Sequence, residues 1–512
     1  MTGACATLDA VTDHGRSSFP DSPARHPGVG VVQSTLTADD LVEATGGRLL
    51  QRSDRPVRHA AVDSRLVTEG SLFVALAGER TDGHHFLADA VASGAAALLV
   101  DRVPVAGETP IPDLGDVTVV LVPDALRGLH AVAAAWRRRF SPIVVGITGS
   151  IAKTSTKEAV AGVFERRFAT LRTEGNQNNE VGLPLTVLRL GPEHGAAVLE
   201  MGMYTGGEIR ELAAIGRPRI GIVTAVQPVH LSRIGTIEAI VDAKAELVEA
   251  LPAAADGGVA ILNADDDRVL GMAGRTAAAV TTYGFAPGAH VRATGVRSLG
   301  LDGMAFRLVT PAGERDVRIP ALGRLAVHNA LAATAAGLAA GIALDEIVPG
   351  LAAGSTAPHR SVVIRAGGVV IVDDAYNASP GSVKAALELL AGIPGRHVAV
   401  LGEMRELGTA HDAGHRDAGE AAGRTLDRLV VVDGAPGAPA AGIVEGARAA
   451  GLADSAITVV ADADAAVSVL REVLVPGDVV LVKASRGIEL EHVVDGLVES
   501  LGGPDVDEGS RA

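Results

Sequence analysis

Short runs of β-branched and aliphatic residues recur along this 512-residue chain, each closed by Gly, Pro, Asp or Ser and separated by Ala- and Leu-rich stretches at helical spacing. A continuous apolar run of strand length reads as a strand buried on both faces. On that pattern strands are expected at Leu72 to Leu76 and Ala96 to Val100, with an Ala-rich helical segment between them. Pro123-Asp124 breaks the chain before a helix from Ala125 to Phe140, and Ser141-Pro142 leads into the next strand. Strands follow at Ala196 to Leu199, Ile220 to Thr224 and Val259 to Asn263, then at Val369 to Val372, His397 to Leu401, Arg428 to Val432 and Val479 to Lys483. Strands alternating with helices build mainly parallel sheets, and the C-terminal ends of those strands form a ligand crevice.

The expected fold class is therefore α/β, in a chain too long for one core. The expected segments are a disordered extension over 1–35, a small α/β domain over 36–122, a central parallel-sheet domain over 123–348, a C-terminal α/β domain over 349–502 and a disordered acidic tail over 503–512.

Composition narrows the function classes. Hydrophobic residues make up 47% of the chain and aromatics only 2%, so the cores must be built from Ala, Val, Leu and Ile. A net charge of −16 disfavours nucleic acid or an anionic membrane surface as the main partner. The single cysteine, Cys5, excludes an intramolecular disulfide framework or a Cys-rich zinc site and fits a reducing cytoplasm. The N-terminus lacks a basic region followed by an apolar core, so no secretory signal is expected. The uncharged run from Leu325 to Leu344 is mostly Ala and Gly and contains His328 and Asn329, which reads as a buried helix and not a membrane span.

The chemistry concentrates at Val145-Gly-Ile-Thr-Gly-Ser-Ile-Ala-Lys-Thr-Ser-Thr-Lys-Glu158. A β-branched run ends in a small-residue turn that delivers Lys153 and Thr154 to a helix start, the layout of a nucleotide phosphate site. Backbone N–H groups would bind phosphate oxygens, Lys153 would reach the β/γ-phosphates and the Thr154 hydroxyl would hold Mg²⁺. A strict G-x-x-x-x-G-K-[ST] needs Gly at 147 and 152, where this chain has Ile147 and Ala152, so a plain strand, turn and helix stays open on this segment alone. Alanine is comfortable in helical φ/ψ, so Ala152 can keep the N–H groups of the helix start aimed at phosphate if the loop does not demand positive φ there.

Glu200 at the end of one apolar strand and His230 beyond another would point into the same crevice as possible Mg²⁺ ligands, although each alone could be a cap or a core hydrogen-bonding group. Asn176-Gln-Asn-Asn179 is an amide cluster able to bind an oxygen-rich ligand, or an ordinary turn. Asp373-Asp374-Ala-Tyr376-Asn377 follows a strand and suits a ribose and a base, or forms an Asx turn. Lys244 lies in the amphipathic stretch Val241 to Glu249, where spacing by itself predicts a solvated surface lysine.

Together these segments resemble the Mur ligase family, over about Leu36 to Val494. The pieces that carry the resemblance are Asp63-Ser64-Arg65, Gly78-Glu-Arg-Thr-Asp-Gly-His84, Thr173-Glu-Gly-Asn-Gln-Asn-Asn179, Glu200-Met-Gly202 and His230-Leu-Ser-Arg-Ile-Gly235. Further along come Asn263-Ala-Asp-Asp266, His328-Asn329, Val372-Asp-Asp-Ala-Tyr-Asn-Ala-Ser-Pro380, Gly402-Glu-Met-Arg-Glu-Leu-Gly408 and Val482-Lys-Ala-Ser-Arg486. Within the family, Asp373-Asp-Ala-Tyr-Asn377 resembles the member that adds D-alanyl-D-alanine; the enzyme that adds the third stem-peptide residue has a different aromatic-histidine pattern there.

The resemblance implies a first domain that holds the uridine diphosphate of UDP-N-acetylmuramoyl-tripeptide, a central P-loop-like ATPase domain, and a Rossmann-like third domain that helps bind ATP and the incoming D-alanyl-D-alanine. It implies that Ser64 and Arg65 lie near the UDP-sugar. Gly149, Ser150, Ile151, Ala152, Lys153, Thr154 and Ser155 would take the ATP phosphates, and Asn329, Arg360, Asp373 and Tyr376 the adenosine side. Thr154, Glu200 and His230 would serve two Mg²⁺ ions, and Asn176, Asn178, Asn179, Lys483, Ser485 and Arg486 the substrates. Lys244 matches the lysine that the family carbamylates with CO₂ to support the second Mg²⁺, which reverses the surface reading; Lys153, Lys244 and His230 form the implied catalytic set.

The implied activity is ATP-dependent C–N ligation in peptidoglycan precursor synthesis through an acyl phosphate, by a cytoplasmic monomer. Two other readings remain: a paralogue joining another amine to a different carboxylate in specialised metabolism, and a catalytically silent nucleotide-binding partner protein.

Overall fold

The computed structural model describes residues 34–78, 81–106, 109–110, 114–227, 234–353, 357–434 and 438–505. His230, Glu79, Arg80, Cys5, the tail beyond 505 and nearly all of the 1–35 extension lie outside the described residues.

Among the described residues three larger sheets carry the fold. In the first, the order is Arg48–Gln51, Thr118–Leu121, Ala97–Val100, Ser71–Val74 and His59–Ala61, parallel except at Arg48–Gln51. The second runs from Thr170–Arg172 through Ala196–Glu200, Ile143–Thr148, Ile220–Val223, Val259–Asn263 and Ala279–Gly284 to Val291–Ser298, all parallel. Met304–Thr310 and Gly313–Ile319 then extend it antiparallel. In the third, Val369–Asp373, Asp478–Lys483, Arg396–Gly402, Arg428–Val432 and Ile457–Val460 are parallel, with Val362–Ala366 antiparallel at one edge.

The expected strands form because their apolar runs are covered on both faces, as Ala196–Glu200 and Asp478–Lys483 are at every residue. The helix Ala125–Arg137 begins on the Asp124 cap and ends three residues before the expected Phe140. It packs between the first two sheets: the Trp136 indole N–H donates to Leu190 C=O (3.0 Å) and the Arg137 Nε–H to Gly216 C=O (2.9 Å). The uncharged run becomes the buried helix Gly323–Ala339, which with Leu344–Ala353 packs on the helix Lys153–Phe164.

Register brings the chemistry together. Glu200 pairs with Ile147 and Val223 with Thr148, so three neighbouring strands end at one level, beside the turn that follows Thr148.

Candidate active site

The turn after Thr148 is shaped by its neighbours. Gly149 sits at φ +152°, and a Cβ there would lie 1.8 Å from Thr224 Oγ1. The Thr224 hydroxyl donates to Ile151 C=O (2.6 Å), and Ser150 N–H donates to Ala225 C=O (2.8 Å). The loop does demand positive φ at Ala152, which is left-handed, with φ +64° and ψ 3°. The turn must reverse there to start the helix Lys153–Phe164, a conformation that strains any residue carrying a Cβ. No side chain caps that helix, so its leading N–H groups open into a cavity of about 920 Å³ lined by Ser150, Lys153, Thr154 and Ser155, among others. Lys153 Nζ donates to Gly149 C=O (2.7 Å), and burial lowers its pKa, with Glu200 opposing and Arg360 adding to the shift.

Glu200 faces this helix start from the next strand and is 2% exposed. Asn178 Nδ2 donates to its Oε1 (2.7 Å), while Oε2 is buried without a hydrogen-bond partner. A buried carboxylate oxygen left bare is costly unless something positive meets it. With the Thr154 hydroxyl on the same cavity wall, the donor set consists of hard oxygens and fits Mg²⁺.

Lys244 corrects the surface reading drawn from spacing. On the helix Ile237–Glu249 it is 2% exposed, and burial, with the charge of Lys153, holds its pKa well below the usual lysine value. The same helix sends Glu246 to accept Gly207 N–H (2.7 Å) and Arg210 N–H (3.0 Å), capping the helix Glu208–Gly216 that follows the Glu200 loop.

The third sheet closes the cavity. Tyr376 lies between two guanidinium groups, Arg360 at 4.2 Å and Arg486 at 5.2 Å from its ring centre, and its hydroxyl accepts from Arg486 Nη1 (3.1 Å). Arg360 Nε is buried without a partner. Asn329 lines the cavity, its Oδ1 accepting the Thr156 hydroxyl (2.9 Å).

The arrangement thus offers an anion site at a helix start, a carboxylate with a bare oxygen opposite it, and a cationic, aromatic wall across the cavity. Three family models together cover more than three quarters of this chain: the Mur ligase family catalytic domain over residues 56–137, the Mur ligase middle domain over 147–337 and the Mur ligase glutamate ligase domain over 359–486. The chain belongs to the Mur ligase family. It is 36% identical over 473 residues to the UDP-N-acetylmuramoyl-tripeptide--D-alanyl-D-alanine ligase of Escherichia coli K12, an alignment spanning 91% of this chain and 99% of that protein. The crystal structure of MurF from Acinetobacter baumannii matches with a TM-score of 0.81 at 31% identity, covering 92% of this chain and all of that one. That of the MurF ligase from Thermotoga maritima in complex with ADP matches at 0.75 and 28%, covering 87% and 98%.

In this Mur ligase the residues singled out from sequence do not all reach one place. Asn176, Asn178, Asn179, Tyr376, Lys483, Ser485 and Arg486 line the same cavity as Lys153 and Glu200. Asn179, however, also caps the helix Gly182–Val187 by accepting Gly182 N–H (2.9 Å). Lys483 is spent on Asp374 Oδ2 (2.6 Å) and Asn377 C=O (2.8 Å), and Ser485 Oγ on Arg405 N–H (2.8 Å). Asp373 does not line the cavity; its carboxylate meets Ala375 N–H (3.2 Å) and His359 Nδ1 (2.7 Å), and burial raises its pKa. Ser64 and Arg65 lie by the first sheet, away from this cavity, where the Arg65 guanidinium holds Asp63 at a pKa of about 2.

The sequence reading passed over Thr156, Lys157 and Arg405. Only Lys157 left a signal, one helical turn after Lys153.

Proposed function

We propose that this chain joins D-alanyl-D-alanine to UDP-N-acetylmuramoyl-tripeptide, consuming ATP and releasing ADP and phosphate, in peptidoglycan precursor synthesis. The observation that carries the reading is the match to the E. coli ligase along 91% of the chain, with Lys153 at an uncapped helix start facing the bare oxygen of Glu200.

On this reading residues 36–122 hold the UDP-sugar, with Ser64 and Arg65 beside it, 123–348 hold ATP, and 349–502 close over nucleotide and dipeptide. The tripeptide carboxylate attacks the γ-phosphate, and the dipeptide amine then displaces phosphate from the acyl phosphate through a tetrahedral intermediate. Backbone N–H groups at Ser150 to Ser155 and the Lys153 ammonium hold the triphosphate in line and offset the repulsion between two anions. Asn329, Arg360 and Tyr376 orient the adenosine, and Arg486 with Asn176 and Asn178 orients the acceptor and the amine. Thr154, Glu200, a carbamylated Lys244 and His230, the last outside the described residues, would hold Mg²⁺, which would supply the charge neutralisation that lets two anions meet. The third sheet's wall of Arg360, Tyr376 and Arg486 shields the acyl phosphate from water. The protein works as a cytoplasmic monomer, and no helix among its described residues is long and apolar enough to cross a membrane.

Phosphate release is expected only when ATP, UDP-N-acetylmuramoyl-tripeptide and D-alanyl-D-alanine are all present. Equal release with another amine, or none with the full set, would overturn the assignment. Burial, with the charge of Lys153, lowers the Lys244 pKa well below the usual lysine value and so favours the neutral amine, the form that adds to CO₂. Lys244→Ala should therefore be almost inactive and partly recovered by added short carboxylates, and normal turnover in that variant would refute the carbamate.

A further inference from the structure

Lys157 is the most deeply enclosed lysine of the phosphate helix, at 1% exposure, and it does not line the cavity. It stands one turn beyond Lys153, on the same side of the helix Lys153–Phe164. Its Nζ donates to Thr173 C=O (2.6 Å) and pairs with Glu158 Oε1 (2.8 Å), whose other oxygen meets Arg172 (3.1 Å). Thr173 is the residue at which the Asn-rich loop leaves the strand Thr170–Arg172. Its N–H donates to Val198 C=O (3.1 Å), and its hydroxyl oxygen accepts Glu200 N–H (3.1 Å). At the far end of that loop Asn178 Nδ2 donates to Glu200 Oε1, and Asn178 C=O accepts Gly202 N–H (2.8 Å). One continuous set of bonds thus runs from the helix that carries Lys153 to both the backbone and the carboxylate of Glu200.

We infer that Lys157 is a positioning residue that fixes the Glu200 carboxylate relative to the phosphate helix, so that the bare Oε2 meets a divalent cation at the distance the nucleotide requires. The inference rests on the metal and nucleotide reading above. Mg²⁺ demands short, near-octahedral contacts, and functional groups must be held within about 0.5 Å of their working geometry. A loop rooted only at the strand edge would leave Asn178, which holds the Glu200 carboxylate at Oε1, free to drift. Removing Lys157 leaves the buried Thr173 carbonyl unsatisfied, and the loop root then shifts to find a partner.

The test titrates Mn²⁺ onto the full-length protein with ADP present, following free Mn²⁺ by electron paramagnetic resonance, for wild type, Lys157→Met, Thr173→Val and Thr173→Ser. Groups that orient a metal ligand typically change affinity by about 10–100-fold. Lys157→Met and Thr173→Val should therefore need about tenfold more Mn²⁺ or beyond, with the KM for D-alanyl-D-alanine within about twofold of wild type. Thr173→Ser, which keeps the hydroxyl, should bind as wild type does. A folded Lys157→Met or Thr173→Val with wild-type Mn²⁺ affinity overturns the inference, as does a Thr173→Ser protein as weak as the valine variant. If Lys157→Met fails to fold, the two Thr173 variants decide. Absence of ADP-dependent Mn²⁺ binding in wild type would instead overturn the nucleotide reading itself.

Discussion

At Ala152 the backbone pays for its turn in strain, since a left-handed residue with a Cβ costs roughly 1–2 kcal/mol. Glycine would remove that cost but lose more chain entropy on folding, about 0.5–1 kcal/mol. Ala152→Gly should therefore raise stability by a net of about 0.5–1 kcal/mol in denaturant titration and leave the ATP KM within about fivefold; a destabilised glycine variant would show the conformation to be wrong. Lys153 is a different kind of residue. On the proposed mechanism its ammonium acts on charge that develops at the phosphates, so Lys153→Ala should keep the fold and lose roughly 3 kcal/mol of transition-state stabilisation, a hundredfold or more in turnover. Steady-state kinetics with a circular dichroism control measures both, and turnover within threefold of wild type would remove Lys153 from the mechanism.

Among elements, the phosphate helix is held from behind by unusually close neighbours. A Cβ on Gly350 would lie 2.8 Å from Val163 Cα and 2.9 Å from Gly162 C=O, and one on Gly337 would lie 2.9 Å from Val163 Cγ1. Small residues on the helices Gly323–Ala339 and Leu344–Ala353 thus let three backbones approach where larger side chains could not fit. Overpacking of this kind costs about 1–3 kcal/mol. Gly350→Ala should lower the unfolding free energy from denaturant titration by that amount, and an unchanged value would mean that the helices separate more easily than their packing implies. The strands most legible in the sequence are those with both faces buried: Val259–Asn263 and Arg428–Val432 have the expected bounds. Gly313–Ile319 was illegible because exposed Glu314, Asp316 and Arg318 alternate with its inward residues, which breaks the apolar run that marks a central strand.

Over the whole molecule, the cavity belongs to the second and third sheets. Every residue that lines it lies between Ser150 and Gly487, and none comes from the strands of the first sheet. ADP with Mg²⁺ should therefore slow amide hydrogen exchange at Ser150 to Ser155, Arg324 to Asn329 and Arg360 to Tyr376, and leave Ser71–Val74 and Ala97–Val100 unchanged, because binding protects the segments it orders. Equal protection across the first sheet would mean that the nucleotide is shared among all three.

By itself the sequence determined the α/β alternation, the strands at the crevice, the small-residue turn that delivers Lys153 and Thr154 to a helix start, and the family, because buried parallel strands need continuous apolar runs and a strand, turn and helix start are close together in the chain. Tertiary structure alone decided the left-handed Ala152, the burial of Lys244, the partnerless oxygen of Glu200, the diversion of Lys483 to Asp374 and the bonds of Lys157. Each of these depends on what a distant segment brings to the same point. Thr224 sets the room for the turn, the packing around the helix Ile237–Glu249 strips water from Lys244, and Asn178 satisfies only one of the two oxygens of Glu200. The spacing of residues along a chain carries the periodicity of an element, but not the solvent or partner that a polar side chain meets once the elements pack.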